Sequence, residues 1–241
     1  MQSMKGCGRE IGGLPCCTVI HGDCNDYLWM LSSKDIDLVV ADPPYGMEYQ
    51  SHRRAVLHNK IANDDSLPVD TIRQLIEIPR LASYFFCRWE NLWEHGVLPL
   101  PKDVVTWVKN NHGSGDLAHG HGPRTENILF YPGVEHAFKA RPDDVVFADK
   151  TDNECHPTQK PIALIRQMLL WYDFETVLDP YIGSGTTALA VKSFGDNDDG
   201  TPKKHFLGFE IDPVHFATAE RRINAARGKF TASASTPYLF S

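Results

Sequence analysis

One segment limits the possible folds more than any other. Residues 177–210 read as a strand (177–179), a glycine turn (180–185), a helix (186–194), a polar connector (GDNDDGTPKK) and a second strand (206–210). Parallel neighbours in a sheet need a crossover, and a helix between two strands supplies one. Other apolar runs agree. Residues 36–41 (IDLVVA) and 81–87 (LASYFFC) are continuous enough for strands buried on both faces. Residues 18–21, 104–108 and 128–131 read as further strands. Residues 69–78, 161–172 (PIALIRQMLLWY) and 214–226 have helical spacing, with Pro161 suited to a first turn. The expected fold class is α/β, Rossmann-like, a mostly parallel sheet with helices on both faces. The strands ending at Ala41 and Asp179 should be neighbours. Residues 109–127, rich in Gly, His and Asn, are expected to form a loop. A hairpin-like stretch should run to residue 147, and the tail from 231 should fray.

The chain has 241 residues, 42% of them hydrophobic and 23% charged, with a formal net charge of −7. That is an ordinary globular balance. It argues against a surface coated in basic residues, though a nucleic-acid enzyme needs only a local basic face. No apolar run is long enough to span a bilayer, and the first residues lack the apolar core of a secretory signal, so a cytoplasmic protein is expected. The six cysteines (Cys7, Cys16, Cys17, Cys24, Cys87 and Cys155) show no C-x-x-C ligand spacing and are expected to be free thiols. His112, His119 and His121 lie in a Gly/His loop, and no metal is expected there.

Two strings carry chemistry. The first is Asp179-Pro180-Tyr181-Ile182-Gly183-Ser184-Gly185-Thr186. Glycines let a backbone turn tightly against a ligand, and a helix start offers free amide donors. Glu210 ends the next strand, where an acid can hold two ribose hydroxyls. Gly183-x-Gly185-x-x-Ala188 alone is a weak dinucleotide fingerprint. Glu210 lies farther on than usual, and the polar connector accounts for the excess as a surface insertion. The second string is Asp42-Pro43-Pro44-Tyr45, at the end of an apolar run. An amino group on a base is a poor nucleophile, because its lone pair is conjugated into the ring. A carboxylate and a proline carbonyl accepting its two N–H bonds would draw the nitrogen towards a tetrahedral shape. Tyr45 would stack the base. Either string alone would read as an ordinary turn; together, each at a strand end, they point to a site.

The sequence resembles the amino-group DNA methyltransferases of restriction–modification and phage systems. The resemblance rests on DPPY at 42–45, HPTQKP at 156–161, DPYIGSGTT at 179–187 and FLGFEID at 206–212. With DPPY preceding the glycine loop, the order is that of the family's beta group. The resemblance implies S-adenosylmethionine as cofactor and DNA as substrate, with Asp42, Pro43, Pro44 and Tyr45 catalytic. Asp179, Pro180, Gly183, Ser184, Gly185 and Thr186 would line the cofactor's methionine part, and Glu210 its ribose. Asp23 would lie near its adenine, and Thr158 and Lys160 at its carboxylate. Asp before Pro-Pro-Tyr mostly accompanies adenine in the family. Cytosine amino methylation, an RNA or protein amide methyltransferase, and a catalytically silent DNA-binding subunit are the alternatives. A nicotinamide dehydrogenase would leave DPPY and HPTQKP unexplained.

One methyltransferase domain over 1–241 is expected. Its catalytic half covers about 18–131, its cofactor half about 156–227 and its tail 228–241, with a small recognition insert at about 109–155. So short an insert leaves recognition to loops, a homodimer or a second subunit. The loops carry Arg53, Arg54, Lys60, Lys109 and Arg124, which are candidate DNA contacts.

Overall fold

The computed structural model describes residues 2–3, 6–44, 67–88, 98–111, 119, 121–149 and 159–226. Tyr45, Arg53, Arg54, Lys60, His112, Cys155 and Thr158 lie outside the described residues, as does the tail from 227. The strands are β1 (Gln2–Ser3), β2 (Glu10–Ile11), β3 (Leu14–Pro15), β4 (Thr18–His21), β5 (Leu38–Ala41), β6 (Ala82–Cys87), β7 (Asp103–Val108), β8 (Thr125–Pro132), β9 (Val145–Phe147), β10 (Thr176–Asp179) and β11 (His205–Glu210). The helices are α1 (Val69–Glu77), α2 (Ile162–Leu170), α3 (Thr186–Lys192) and α4 (Pro213–Ala225).

One sheet runs in the order β1-β4-β11-β10-β5-β6-β8-β7-β9, with β2 and β3 as a separate pair. From β4 to β6 every neighbouring pair is parallel. The strands ending at Ala41 and Asp179 are adjacent, as expected, with Val177 opposite Leu38 and Leu178 opposite Val39. Strand alternation divides the side chains between two cores. Val19, Leu38, Val40, Tyr84, Phe86, Val177 and Phe206 face α2, α3 and α4. Ile20, Val39, Ala41, Phe85, Leu178, Leu207 and Phe209 face α1, the short 3-10 turns at 24–30 and the β2–β3 hairpin. A period of two thus feeds both layers from one apolar run. Asp37 locks the start of the sheet. Its carboxylate accepts from the backbone N–H of Glu175 and Thr176 and pairs with Arg80 at 2.7 Å.

Two expectations are corrected. The segment read as a loop to residue 127 turns into strand at Thr125, because β8 is hydrogen-bonded on both sides, by β6 and β7. The stretch to Phe147 is no hairpin: β9 lies parallel to β7 at the sheet's edge, fixed by the Trp107 indole donating to the Ala148 carbonyl at 2.8 Å. The connector after α3 is an exposed excursion tied off by a bridge between Asp196 and Pro202. Among the described residues, no helix is long and apolar enough to cross a membrane.

Candidate active site

The C-terminal ends of β5, β10 and β11 bring three carboxylates to one edge of the sheet: Asp42, Asp179 and Glu210. β10 is apolar to its last residue, so Asp179 ends up buried. It accepts from the Tyr181 N–H at 3.0 Å. Burial pushes its carboxyl up to about 7, with the Asp42 and Glu210 charges adding to the effect and the Thr187 and Tyr181 hydrogen bonds opposing it.

The turn after Asp179 needs its glycines. Gly183 and Gly185 have φ of 53° and 87°, in the left-handed region that other residues enter at a cost. Gly185 also lies close under α4, where an added Cβ would stand 3.2 Å from Ile223. Glu210 holds the turn from the next strand. One carboxylate oxygen accepts from the Gly183 N–H at 2.9 Å and the other from the Asp212 N–H at 2.8 Å. Burial raises its carboxyl above the ordinary range despite those bonds. Arg222 of α4 reaches over to the Ser184 carbonyl and hydroxyl. From below, Gly208 of β11 leaves room for Ile182; a Cβ there would come within 2.3 Å of its Cδ1. Neither Arg222 nor Gly208 stands out in the sequence, because both act on the turn from other elements. Pro180 and Thr186 flank the turn, and Thr186 opens α3. Asp23 follows β4, beside β11, and accepts from the Asn25 N–H at 2.9 Å.

At Asp42 the structure adds partners. Lys160, just before α2, lies with Nζ 2.7 Å from the Asp42 carboxylate and 2.9 Å from Glu126 of β8. Lys109 sits 2.8 Å from Glu126 on its other side. Four charges of alternating sign thus run Asp42–Lys160–Glu126–Lys109, all largely shielded from solvent. Burial works against the Lys160 charge, but Asp42 and Glu126 outweigh it and raise its pKa above the ordinary lysine range. Burial likewise works to raise Glu126, yet Lys160 and Lys109 hold it below the usual carboxylate range. Phe86 and Trp107 lie under the two ammoniums, each ring centroid 4.9 Å away.

This row bears on two expectations. Lys160 has the target-side carboxylate Asp42 as partner, where the resemblance implies the cofactor carboxylate. Lys109 is engaged with Glu126 and 17% exposed. Arg124, just before β8, donates to the carbonyl of Lys109, just after β7. Pro43 is buried and Pro44 half-buried beside Asp42. Glu126 was missed because it falls in a segment that reads as loop, and only the pairing of β8 turns it inward.

Residues 139–221 match the family model described as DNA methylase. Among curated proteins, the chain is 22% identical to the type II methyltransferase M.HinfI of Haemophilus influenzae, over 86% of this chain and 68% of that one. It is 25% identical to the type II methyltransferase M.HpaI of Haemophilus parainfluenzae, over 81% and 70%. Among solved structures, the M1.HpyAVI–SAM complex superposes with a TM-score of 0.61 at 22% identity, covering 85% of this chain and 98% of that one. The PvuII cytosine-N4-specific DNA methyltransferase does so with a TM-score of 0.59 at 12% identity, covering 88% and 91%. The fold is the Rossmann-like fold of these enzymes.

Proposed function

We propose, from the premise that this chain is a relative of the amino-group DNA methyltransferases of restriction–modification type, that it transfers a methyl group from S-adenosylmethionine to the exocyclic amino group of adenine in DNA. One observation carries the reading: Asp42 and Asp179 end adjacent parallel strands, so a cofactor over the glycine turn and a base at Asp42 would come within reach of each other.

The residues fit S-adenosylmethionine. Asp42, Asp179 and Glu210 make an acidic edge, and burial raises both Asp179 and Glu210. A cationic ligand relieves that strain, and S-adenosylmethionine carries an ammonium and a sulfonium. Bound, it supplies an electrophilic methyl group. Asp179, Pro180, Gly183, Ser184, Gly185 and Thr186 would hold its methionine part, and Asp23 its adenine. Glu210 uses one hydrogen bond per carboxylate oxygen on the backbone, which leaves acceptor capacity on each oxygen for ribose hydroxyls.

Asp42 accepts one N–H of the target amino group, and a carbonyl of the Pro43–Pro44 turn accepts the other. The nitrogen lone pair would be drawn out of conjugation towards the methyl carbon; as the N–C bond formed, the methyl–sulfur bond would break and leave a neutral thioether, and the proton lost by the amino group would pass by way of the partly exposed Asp42 carboxylate to solvent. Lys160 fixes the Asp42 carboxylate by an ion pair at 2.7 Å, and Glu126 fixes Lys160. Tyr45 is proposed to stack the flipped base. Arg53, Arg54, Lys60 and Arg124 are proposed to meet the DNA backbone. The preference for adenine rests on Asp42 as the first residue of the tetrapeptide; a cytosine amino group would fit the same grip.

Incubation with labelled S-adenosylmethionine and unmethylated DNA, followed by mass spectrometry of nucleosides, tests the reading. N6-methyladenine is the expected product. N4-methylcytosine alone would replace adenine with cytosine, and the absence of any methylated base would reject the activity. Asp42→Ala should abolish transfer while calorimetry still detects cofactor binding.

A further inference from the structure

Far from Asp42 and Asp179, at the opposite ends of the parallel strands, three cysteines and a histidine converge. Cys17 directly precedes β4, and His205 is the first residue of β11. Cys7 and Cys16 come from the arm that carries the β2–β3 hairpin. Their four ligand atoms, three Sγ and one ring nitrogen, all lie within 4.8 Å of one another. From His205 Nδ1 the distances are 3.2 Å to Cys16 Sγ, 3.6 Å to Cys17 Sγ and 3.9 Å to Cys7 Sγ, and the Cys16 and Cys17 sulfurs are 3.6 Å apart.

A tetrahedral zinc ion, with Zn–S about 2.3 Å and Zn–N about 2.0–2.1 Å, sets sulfur–sulfur edges of about 3.8 Å and sulfur–nitrogen edges of about 3.6 Å. Four of the six separations, 3.2–3.9 Å, lie within about half an ångström of those edges, and the two between Cys7 and the other sulfurs are within 4.8 Å. We propose that Cys7, Cys16, Cys17 and His205 form a structural zinc site that staples the N-terminal arm to the sheet.

The surrounding chain is shaped to hold the cluster. The Cys7 N–H donates to the Cys16 carbonyl at 3.1 Å, and the Cys16 N–H to the Arg9 carbonyl at 2.9 Å. Gly6 permits this close approach, since a Cβ there would stand 2.4 Å from the Cys16 oxygen. Cys17 has φ of 55°, the one positive value of a non-glycine residue among those described. Such a conformation persists where the surroundings over-determine it, and here the Cys17 N–H is also tied to the Phe206 carbonyl at 2.8 Å. Four protein ligands leave a tetrahedral ion no open position, so the role is structural rather than catalytic. Three sulfurs also favour zinc over a hard cation such as magnesium.

His205 would bind through Nδ1, which places the ring proton on Nε2. The Glu175 carboxylate lies 4.0 Å from Nε2 and, on closing by about 1 Å, would accept that proton's hydrogen bond. Arg9 Nη1, a donor only, now donates to Nε2 at 2.8 Å and to Glu175 at 2.7 Å; with the ring proton on Nε2 it would turn away from the imidazole and keep its carboxylate partner.

The test is metal analysis of the whole chain purified under reducing conditions. One zinc per chain is expected by elemental mass spectrometry. Exchange for Co(II) should give the thiolate charge-transfer and visible bands of a tetrahedral cobalt site. Cys16→Ser and His205→Gln should lose the metal, while Cys24→Ser and Cys87→Ser, at buried cysteines outside the cluster, should keep it. Glu175→Gln should weaken zinc affinity about tenfold or more. Should a variant fail to fold, the cobalt spectrum of the parent chain still decides. A chain that carries no zinc and takes up neither ion overturns the proposal. So does zinc retained by both Cys16→Ser and His205→Gln, or a Cys16–Cys17 disulfide whose reduction brings no metal binding.

Discussion

Replacing Lys160 by Met removes one cation from a row of four charges at little change in volume. In the parent, Lys160 stands 2.7 Å from Asp42 and 2.9 Å from Glu126, with Lys109 2.8 Å from Glu126 on the far side. Two ammoniums balance two carboxylates; the variant keeps only one ammonium. Breaking a buried pair by deleting one partner costs about 3–5 kcal/mol. Lys109 still compensates Glu126, so the lower end applies. About 3 kcal/mol, at about 2–4 °C per kcal/mol for a chain of this size, is a drop of roughly 6–12 °C in melting temperature. The loss should depend on pH. In the parent, burial works to raise Glu126, but its two lysines hold it below the ordinary range. It therefore contributes stability above its unfolded pKa of about 4.3, and that contribution is lost as pH falls through the lower folded value. Without Lys160 the folded pKa moves up. The gap between parent and variant should then be widest near neutral pH and narrow as pH falls, first as Glu126 protonates in the variant and completely only below the parent's lower folded value. Calorimetric melts across that range measure it. Turnover should fall through kcat, because Lys160 holds the group that grips the target nitrogen. An unchanged melting temperature at every pH would refute the coupling. Normal kcat with lost S-adenosylmethionine binding would return Lys160 to the cofactor carboxylate.

Asp179→Asn should flatten part of the pH dependence of stability. With its carboxyl pushed up to about 7 by burial, Asp179 contributes stability that is full below its unfolded pKa of about 3.9 and lost as pH rises through the folded value. Melts between those limits should show less decline in the variant. Gly208→Ala drives a Cβ to 2.3 Å from Ile182 and should cost about 1–3 kcal/mol, weakening cofactor binding through the displaced turn. Denaturant unfolding and calorimetry check both effects, and wild-type values would mean that Ile182 turns aside freely. Glu210→Gln keeps one acceptor for two backbone donors, so a loss of about 1.5–3 kcal/mol is expected, together with a raised dissociation constant for S-adenosylmethionine.

Wherever local sequence decides structure, the chain was readable in advance. The unbroken apolar runs of β5, β6, β10 and β11 announce buried parallel strands, and Gly183 and Gly185 announce the tight turn into α3. Asp42 and Asp179 could be placed at neighbouring strand ends because each closes such a run. What stayed hidden depends on distant pairing. Glu126 enters the site only because β8 is held between β6 and β7, and β9 joins the sheet in a direction that no turn signal encodes. Cys7, Cys16 and Cys17 lack ligand spacing because their fourth partner, His205, lies nearly two hundred residues on, delivered by the β4–β11 register. Spacing along a chain reports ligand sets only when one hairpin supplies them all.

The bridge between Asp196 and Pro202 has a practical corollary. Exposed residues 196–201 are closed at their base, and Leu178 and Asp179 meet Leu207 and Gly208 through strand pairing rather than through the length of chain between them. The distance from the glycine turn to Glu210 is thus insulated from whatever hangs on that closed base. A reporter domain or affinity tag spliced between Asp198 and Gly200 would be carried as a pendant, with both ends of the host segment already stitched together.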